Sequence, residues 1–224
     1  MLFYSNFNPD GIKSILARRM ADKQSPKPVS VLFVCLGNIC KPYSFLTSTC
    51  PSPTSIHNLT LSHLGRSTMS EGVFQSLTPS HPLVKTIDSC GTGAYHIGSS
   101  PDSRTMSTLK KNNITTYRHK ARKFDPKKDF NDFEYILAMD DENLDDLQDL
   151  RKREVKKRGS EEGVGRVMLF GEFGKRDTLG NGRGKGEEVQ DPYYGGGEGF
   201  DVAYEQAVRF TKGFLEQLEK GELS

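Results

Sequence analysis

From Val29 onward, short apolar runs alternate with stretches of helical spacing. Val31, Leu32, Phe33 and Val34 form an unbroken apolar run that ends in Cys35, the pattern of a strand covered on both faces. Residues 84–88, 135–139 and 167–169 predict three further strands. Met69, Val73, Phe74 and Leu77 share one side of a helix, with Ser67 or Ser70 placed to cap its start. Asp102 predicts the cap of a helix through Met106, Leu109 and Lys111, Asp141 starts a strongly charged helix to about residue 158, and residues 200–218 form a final amphipathic helix. Strands separated by helices predict an α/β fold: three layers, with a four-stranded parallel sheet and helices on both faces. Ligands bind such sheets at the carboxyl edge, which is where Cys35 falls.

Composition narrows the class. The chain has 224 residues, enough for a single domain over 29–224 with appendages. Its 31 Lys and Arg are balanced by 29 Asp and Glu, so no nucleic-acid partner is expected. No apolar run approaches the length of a membrane span, so no membrane partner is expected either. The four cysteines (Cys35, Cys40, Cys50, Cys90) show no zinc spacing, so no metal is expected, and two of them lie in the candidate loop at the end of the first strand, which predicts a reducing, cytoplasmic location. Residues 1–28 mix aromatic and basic positions and end in Lys-Gln-Ser-Pro-Lys-Pro. They read as a disordered extension, with Met20 as a natural start; Asp10 and the Met20-Ala-Asp sequence weigh against a mitochondrial leader.

The candidate chemistry lies where the first strand ends. Cys35, Leu36, Gly37, Asn38, Ile39 and Cys40 run into a segment of different character, and Arg66-Ser67 follows it. Read across that segment, the spacing is a cysteine, five residues, an arginine and a serine at a helix entrance. A cysteine attacks phosphorus only as thiolate, which nearby positive charge and a helix N-terminus favour. Backbone N–H groups of a tight loop surround phosphoryl oxygens, and a guanidinium holds two of them in a fork that lysine cannot reproduce. Gly37 permits the tight loop, and Asn38 can brace it through side-chain hydrogen bonds to backbone.

These residues resemble the low-molecular-weight protein tyrosine phosphatases. Further blocks do so in the same order: residues 88–95, 101–105, His119 to Arg122, Tyr135 to Asp140, and Gln190-Asp-Pro-Tyr-Tyr-Gly195. The resemblance implies that Cys35 is a nucleophile forming a phosphocysteine intermediate, without cofactor or metal. It makes Arg66 the phosphate clamp and Asp191 the general acid, which then activates the hydrolytic water. Leu36, Gly37, Asn38, Ile39, Cys40 and Ser67 would line the phosphate, with Ser67 bonded to the thiolate. Tyr193 and Tyr194 would wall the cleft against an aromatic ring. Ser89 and His119 would orient the loop, and Asp140 would lie near the arginine. The implied substrates are phosphotyrosine-containing proteins and small aryl phosphates, with inorganic phosphate as product. By the same resemblance, Cys35 and Cys40 form a reversible protective disulfide.

Residues 41–65 interrupt the loop. They hold one formal charge in 25 residues, three prolines, five serines and four threonines, with no helical or strand period, and read as a disordered insertion. Back-translation suggests an origin: Cys40-Lys41 can be encoded with a donor-like GTAAG, Leu59-Thr60 with a branch-point-like CTAAC, and Leu64-Gly65 with an acceptor-like TTAG. The segment therefore reads as an intron retained in frame. Closing such a loop costs on the order of 3 kcal/mol plus a constant, which is tolerable. A misplacement of about 1 Å in the reacting groups can cost on the order of a hundredfold in rate, so a folded domain of much reduced activity is expected. Two other readings stay open. One is an arsenate reductase of this architecture, against which stand Asp191-Pro-Tyr-Tyr and the lack of a late cysteine pair. The other is a catalytically dead phosphate-binding scaffold.

Overall fold

The computed structural model describes residues 27–35, 53–93, 97–174, 186–192 and 198–223, with backbone alone for 53–64. In chain order the elements are β1 (Val29–Cys35), α1 (Pro53–Leu77), β2 (Val84–Gly91), α2 (Ser103–Lys111), α3 (Pro126–Asp132), β3 (Tyr135–Ala138), α4 (Asp141–Arg158), β4 (Arg166–Leu169), a 3-10 turn (Phe170–Phe173) and α5 (Gly199–Glu219). All four strands run parallel in the order β2-β1-β3-β4. The expected alternation is thus present, and the sheet is the four-stranded parallel one.

Every residue of β1 is buried, because the strand has helices over both faces. Val31, Phe33 and Cys35 face a core built with Met69 and Phe74 of α1 and Phe210 and Phe214 of α5. Leu32 and Val34 face the opposite core, with Phe130 of α3 and Leu144 and Leu147 of α4. Phe33 meets Phe74 and Phe170 edge to face at 5.4 and 5.1 Å between ring centroids, a geometry that adds to area burial. α5 approaches the 3-10 turn so closely that a Cβ at Gly213 would stand 1.9 Å from the Phe173 carbonyl oxygen. Only glycine fits that crossing.

Connections leave the carboxyl end of β1 toward β2 on one side and arrive at β3 on the other, which opens a crevice at that edge. Cys35 is the last residue of β1, in register with Gly91 of β2.

Two expectations need correction. Helix α1 does not begin at Ser67 or Ser70; it begins at Pro53, inside the segment read as disordered. Ser67 and Ser70 are therefore interior residues, and Ser70 Oγ donates to the Arg66 carbonyl one turn back at 2.9 Å. The cause is cooperativity. Once residues 66–77 are held helical by core packing, nucleation is already met and further turns add at little cost, with a proline tolerated at the first position. Only 53–65 of the 41–65 segment can be compared; 41–52 and the 1–26 part of the extension lie outside the described residues. Helix α3 was not expected, although Asp125-Pro126 is a start signal: the Asp125 side chain accepts the Lys127 N–H at 3.0 Å.

Candidate active site

Cys35 is fully buried at the end of β1, and Ser67 Oγ donates to its Sγ at 3.0 Å. Its Sγ also lies 3.9 Å from the Cys90 carbonyl oxygen. Burial pushes the Cys35 thiol above its ordinary value. The Ser67 hydroxyl, the Arg66 charge and the Ser67 backbone N–H all act in the opposite direction, and Asp140 adds to the rise. Among the described residues, the groups that favour the thiolate, Arg66 and Ser67, come from α1, beyond the interrupting segment. That segment does not keep Ser67 Oγ from Cys35 Sγ, while residues 36–40, which lie between the nucleophile and the segment, are outside the described residues.

Arg66 is 4 % exposed and is held on two sides. One terminal nitrogen lies 2.7 Å from Asp140 Oδ2, and the other donates to the Val189 carbonyl at 3.2 Å. Asp140 has a second task as the N-cap of α4, where it accepts the Asn143 N–H at 2.7 Å. The Arg66 Nε is buried and has no hydrogen-bond partner among the described residues. A buried guanidinium with an unused donor fits an oxyanion.

Arg66, Asp140 and Asp191 line one cleft of about 790 Å³, together with Val189 and Gln190 of the segment that precedes Asp191. Asp191 is half-buried and Pro192 behind it is buried. Pro192 packs toward Gly199 and Gly65, where a Cβ on Gly199 would stand 2.4 Å from the Pro192 carbonyl oxygen. The carboxylate is thus carried on a segment fixed against α1 and α5. Leu36, Gly37, Asn38, Ile39, Cys40, Tyr193 and Tyr194 lie outside the described residues.

Ser89 and His119 meet at a residue that the sequence reading passed over. Glu71, one helical turn beyond Ser67, is 3 % exposed. It accepts Ser89 Oγ at 2.6 Å, Tyr117 OH at 2.7 Å and Gln75 Nε2 at 2.9 Å, and His119 Nδ1 lies 3.1 Å away. His119 Nε2 is 3.5 Å from Ser89 Oγ. Burial first and the Glu71 charge second raise the Tyr117 phenol. Glu71 stands two positions from both Met69 and Val73, off the side of the helix that they share, so it reads as a solvated charge; its burial is tolerated because the carboxylate is fully bonded. The network ties α1 to β2 beside Cys35.

Glu71, Asp88 and His119 are the one group among the described residues whose ligand atoms could converge on a metal, within 4.8 Å of one another. Their oxygens are already engaged. Glu71 takes the donors above, while Asp88 accepts Arg122 Nε at 2.7 Å and the Ser89 N–H at 2.8 Å. The donor set fits a closed hydrogen-bond network and not a cation.

The model of the family described as low molecular weight phosphotyrosine protein phosphatase matches residues 56–223. A protein of that name from Schizosaccharomyces pombe is 40% identical over 195 residues, covering 86% of this chain and 98% of its own length. The Homo sapiens protein of that name is 33% identical over 190 residues, covering 84% of this chain and 94% of its own. Among solved structures, the protein tyrosine phosphatase from Entamoeba histolytica with Hepes in the active site matches with a TM-score of 0.59 at 28% identity, over 87% of this chain and 99% of that one. With a buried cysteine, a serine and an arginine assembled at the carboxyl edge of a parallel sheet, the chain belongs to the low molecular weight phosphotyrosine protein phosphatase family.

Proposed function

We propose that this protein hydrolyses phosphotyrosine in proteins, and small aryl phosphates, through a phosphocysteine intermediate. The observation that carries the reading is the 3.0 Å contact of Ser67 Oγ with Cys35 Sγ, beside a buried Arg66 whose Nε is unused. In the first step the Cys35 thiolate forms a bond to phosphorus as the bond to the aryl oxygen breaks, and Asp191 gives its proton to the departing oxygen. In the second, the Asp191 carboxylate takes a proton from water, the water oxygen bonds to phosphorus, and the sulfur–phosphorus bond breaks to release inorganic phosphate. Arg66 holds the equatorial oxygens in both steps. The Ser67 hydroxyl stabilises the sulfur as it leaves.

Residues 29–224 act as one domain, interrupted by 41–65 as an insertion of intron origin, and Tyr193 and Tyr194 receive the substrate ring. Messenger RNA that joins Cys40 directly to Arg66 supports that origin. Reads running only through 41–65 sink it. A cytoplasmic location accords with the free thiols of Cys35 and Cys90. No helix among the described residues is long and apolar enough to cross a membrane.

The test is rapid-mixing hydrolysis of a chromogenic aryl phosphate. A burst matching the enzyme concentration, absent in Cys35→Ser, is expected. Steady turnover that survives Cys35→Ser rejects the mechanism. Binding of phosphotyrosine without any hydrolysis moves the scaffold reading to the front.

A further inference from the structure

Beside the Arg66 guanidinium, the lining of the cleft among the described residues carries five acidic side chains: Asp140, Glu142, Glu187, Glu188 and Asp191. A site for a phosphoryl dianion gains nothing from such a wall, which repels the anion it must admit. Asp140 is paired with Arg66 at 2.7 Å and Glu187 with Arg209 at 2.8 Å, and Asp191 is engaged as well. Glu142 and Glu188 are exposed, and no Lys or Arg among the described residues forms an ion pair with either. Glu188 accepts the Asp141 N–H at 3.1 Å, which fixes it beside Glu142 at the start of α4. The same cleft is lined by Arg66, whose Nε is buried and has no hydrogen-bond partner among the described residues. The wall therefore combines an inner point for one anion with an outer rim for cations.

We infer that the Glu142–Glu188 rim selects phosphotyrosine set among basic residues, so that the substrates of this chain are phosphotyrosyl segments with lysine or arginine beside the phosphorylated tyrosine. The inference rests on the phosphatase reading above and adds the class of sequence it acts on. With the phosphate at Arg66, the flanking residues of a bound segment pass over the rim, and their positive charge offsets the repulsion that the phosphate alone meets. Contacts at an exposed rim act mainly on encounter and on discrimination between partners, and are screened by salt.

Two phosphotyrosyl peptides, matched except for lysine or glutamate flanks, are compared with a chromogenic aryl phosphate as reference. At low ionic strength kcat/KM for the lysine peptide is expected to exceed that for the glutamate peptide about fivefold, the range of a few exposed charge pairs. Rising salt on the unaltered protein is expected to close the gap, as is the Glu142→Gln, Glu188→Gln double variant. Equal rates for the two peptides, or a preference for glutamate, with the aryl phosphate still hydrolysed, overturn the inference alone. If the aryl phosphate is not hydrolysed, the phosphatase reading falls and the inference with it.

Discussion

Ser67 Oγ stands 3.0 Å from Cys35 Sγ although 32 positions separate the two in sequence. One residue comes from the end of the central strand and the other from inside a long helix. Their contact turns two separated pieces of chain into a single nucleophile site. The bond lowers the Cys35 pKa against the burial that raises it. Ser67→Ala is therefore expected to move the midpoint of Cys35 alkylation by iodoacetamide to higher pH. Turnover is expected to fall between about tenfold and a hundredfold, the worth of a hydrogen bond to a charged group. An unchanged alkylation profile rules out this role for the serine.

Asp140 serves Arg66 and the start of α4 together, and two substitutions separate the tasks. Asp140→Asn keeps an oxygen to accept the Asn143 N–H but leaves Arg66 buried without its counter-charge, a loss of about 3 kcal/mol. Asp140→Ala loses the cap as well, about 1 kcal/mol more. Urea unfolding should rank the unaltered protein above Asp140→Asn and that above Asp140→Ala. Equal midpoints for the two variants exclude a capping contribution.

The apolar patterning made the sheet legible because β1 and β3 are buried on both faces and read as continuous runs, while α5 shows a clean stripe. The candidate chemistry rests on other grounds: Cys35 to Cys40 and Arg66-Ser67, read across the interruption, have the residue types a phosphate needs. Asp191 follows from the resemblance of its block, not from local propensity. What escaped was cooperative or relational. Residues 53–65 have no period of their own and are helical because the helix after them is anchored. Glu71 reads as a solvated helix charge until Ser89, Tyr117 and His119, distant in sequence, are brought to it. The five-carboxylate wall likewise draws from β3's end, α4 and the segment before Asp191, and no local stretch announces it.

Alkaline conditions test the burial of the ionisable groups. Burial raises Cys35 above its ordinary 9.0, Cys90 well above it, and Tyr117 and Tyr135 above their ordinary 10.0. In each case the folded state keeps a proton that the unfolded chain gives up. The stabilising contribution is fully present below about pH 9 and is lost as pH rises toward the folded values. The thiols act first, and the phenols join above about pH 10. Each group contributes a slope of up to about 1.4 kcal/mol per pH unit. Urea midpoints should be flat between pH 7 and 8 and decline steeply above 9, with a shallower decline in Cys90→Ala. Constant stability from pH 8 to 10.5 contradicts the assignment.

The interrupting segment bears most directly on whether the chain works. Sequence reasoning expects it to ruin the site, because a reacting group misplaced by about 1 Å can cost on the order of a hundredfold. The structure holds Arg66 and Ser67 by contacts that do not depend on the chain entering from Cys40. Arg66 is fixed by Asp140 and Val189, and Ser67 by Cys35 itself; Ser70, one turn on, donates to the Arg66 carbonyl and lies 3.6 Å from Met139 Sδ. Placement is thus set by tertiary contacts, and the cost of the segment falls on loop closure instead. A chain lacking 41–65 should gain unfolding free energy on the order of 3 kcal/mol or less, while its burst amplitude with an aryl phosphate matches that of the full chain. Turnover numbers are expected to agree within about tenfold. A burst seen only in the shortened chain means that the contacts around Arg66 do not suffice to position it, and that the segment inactivates the enzyme.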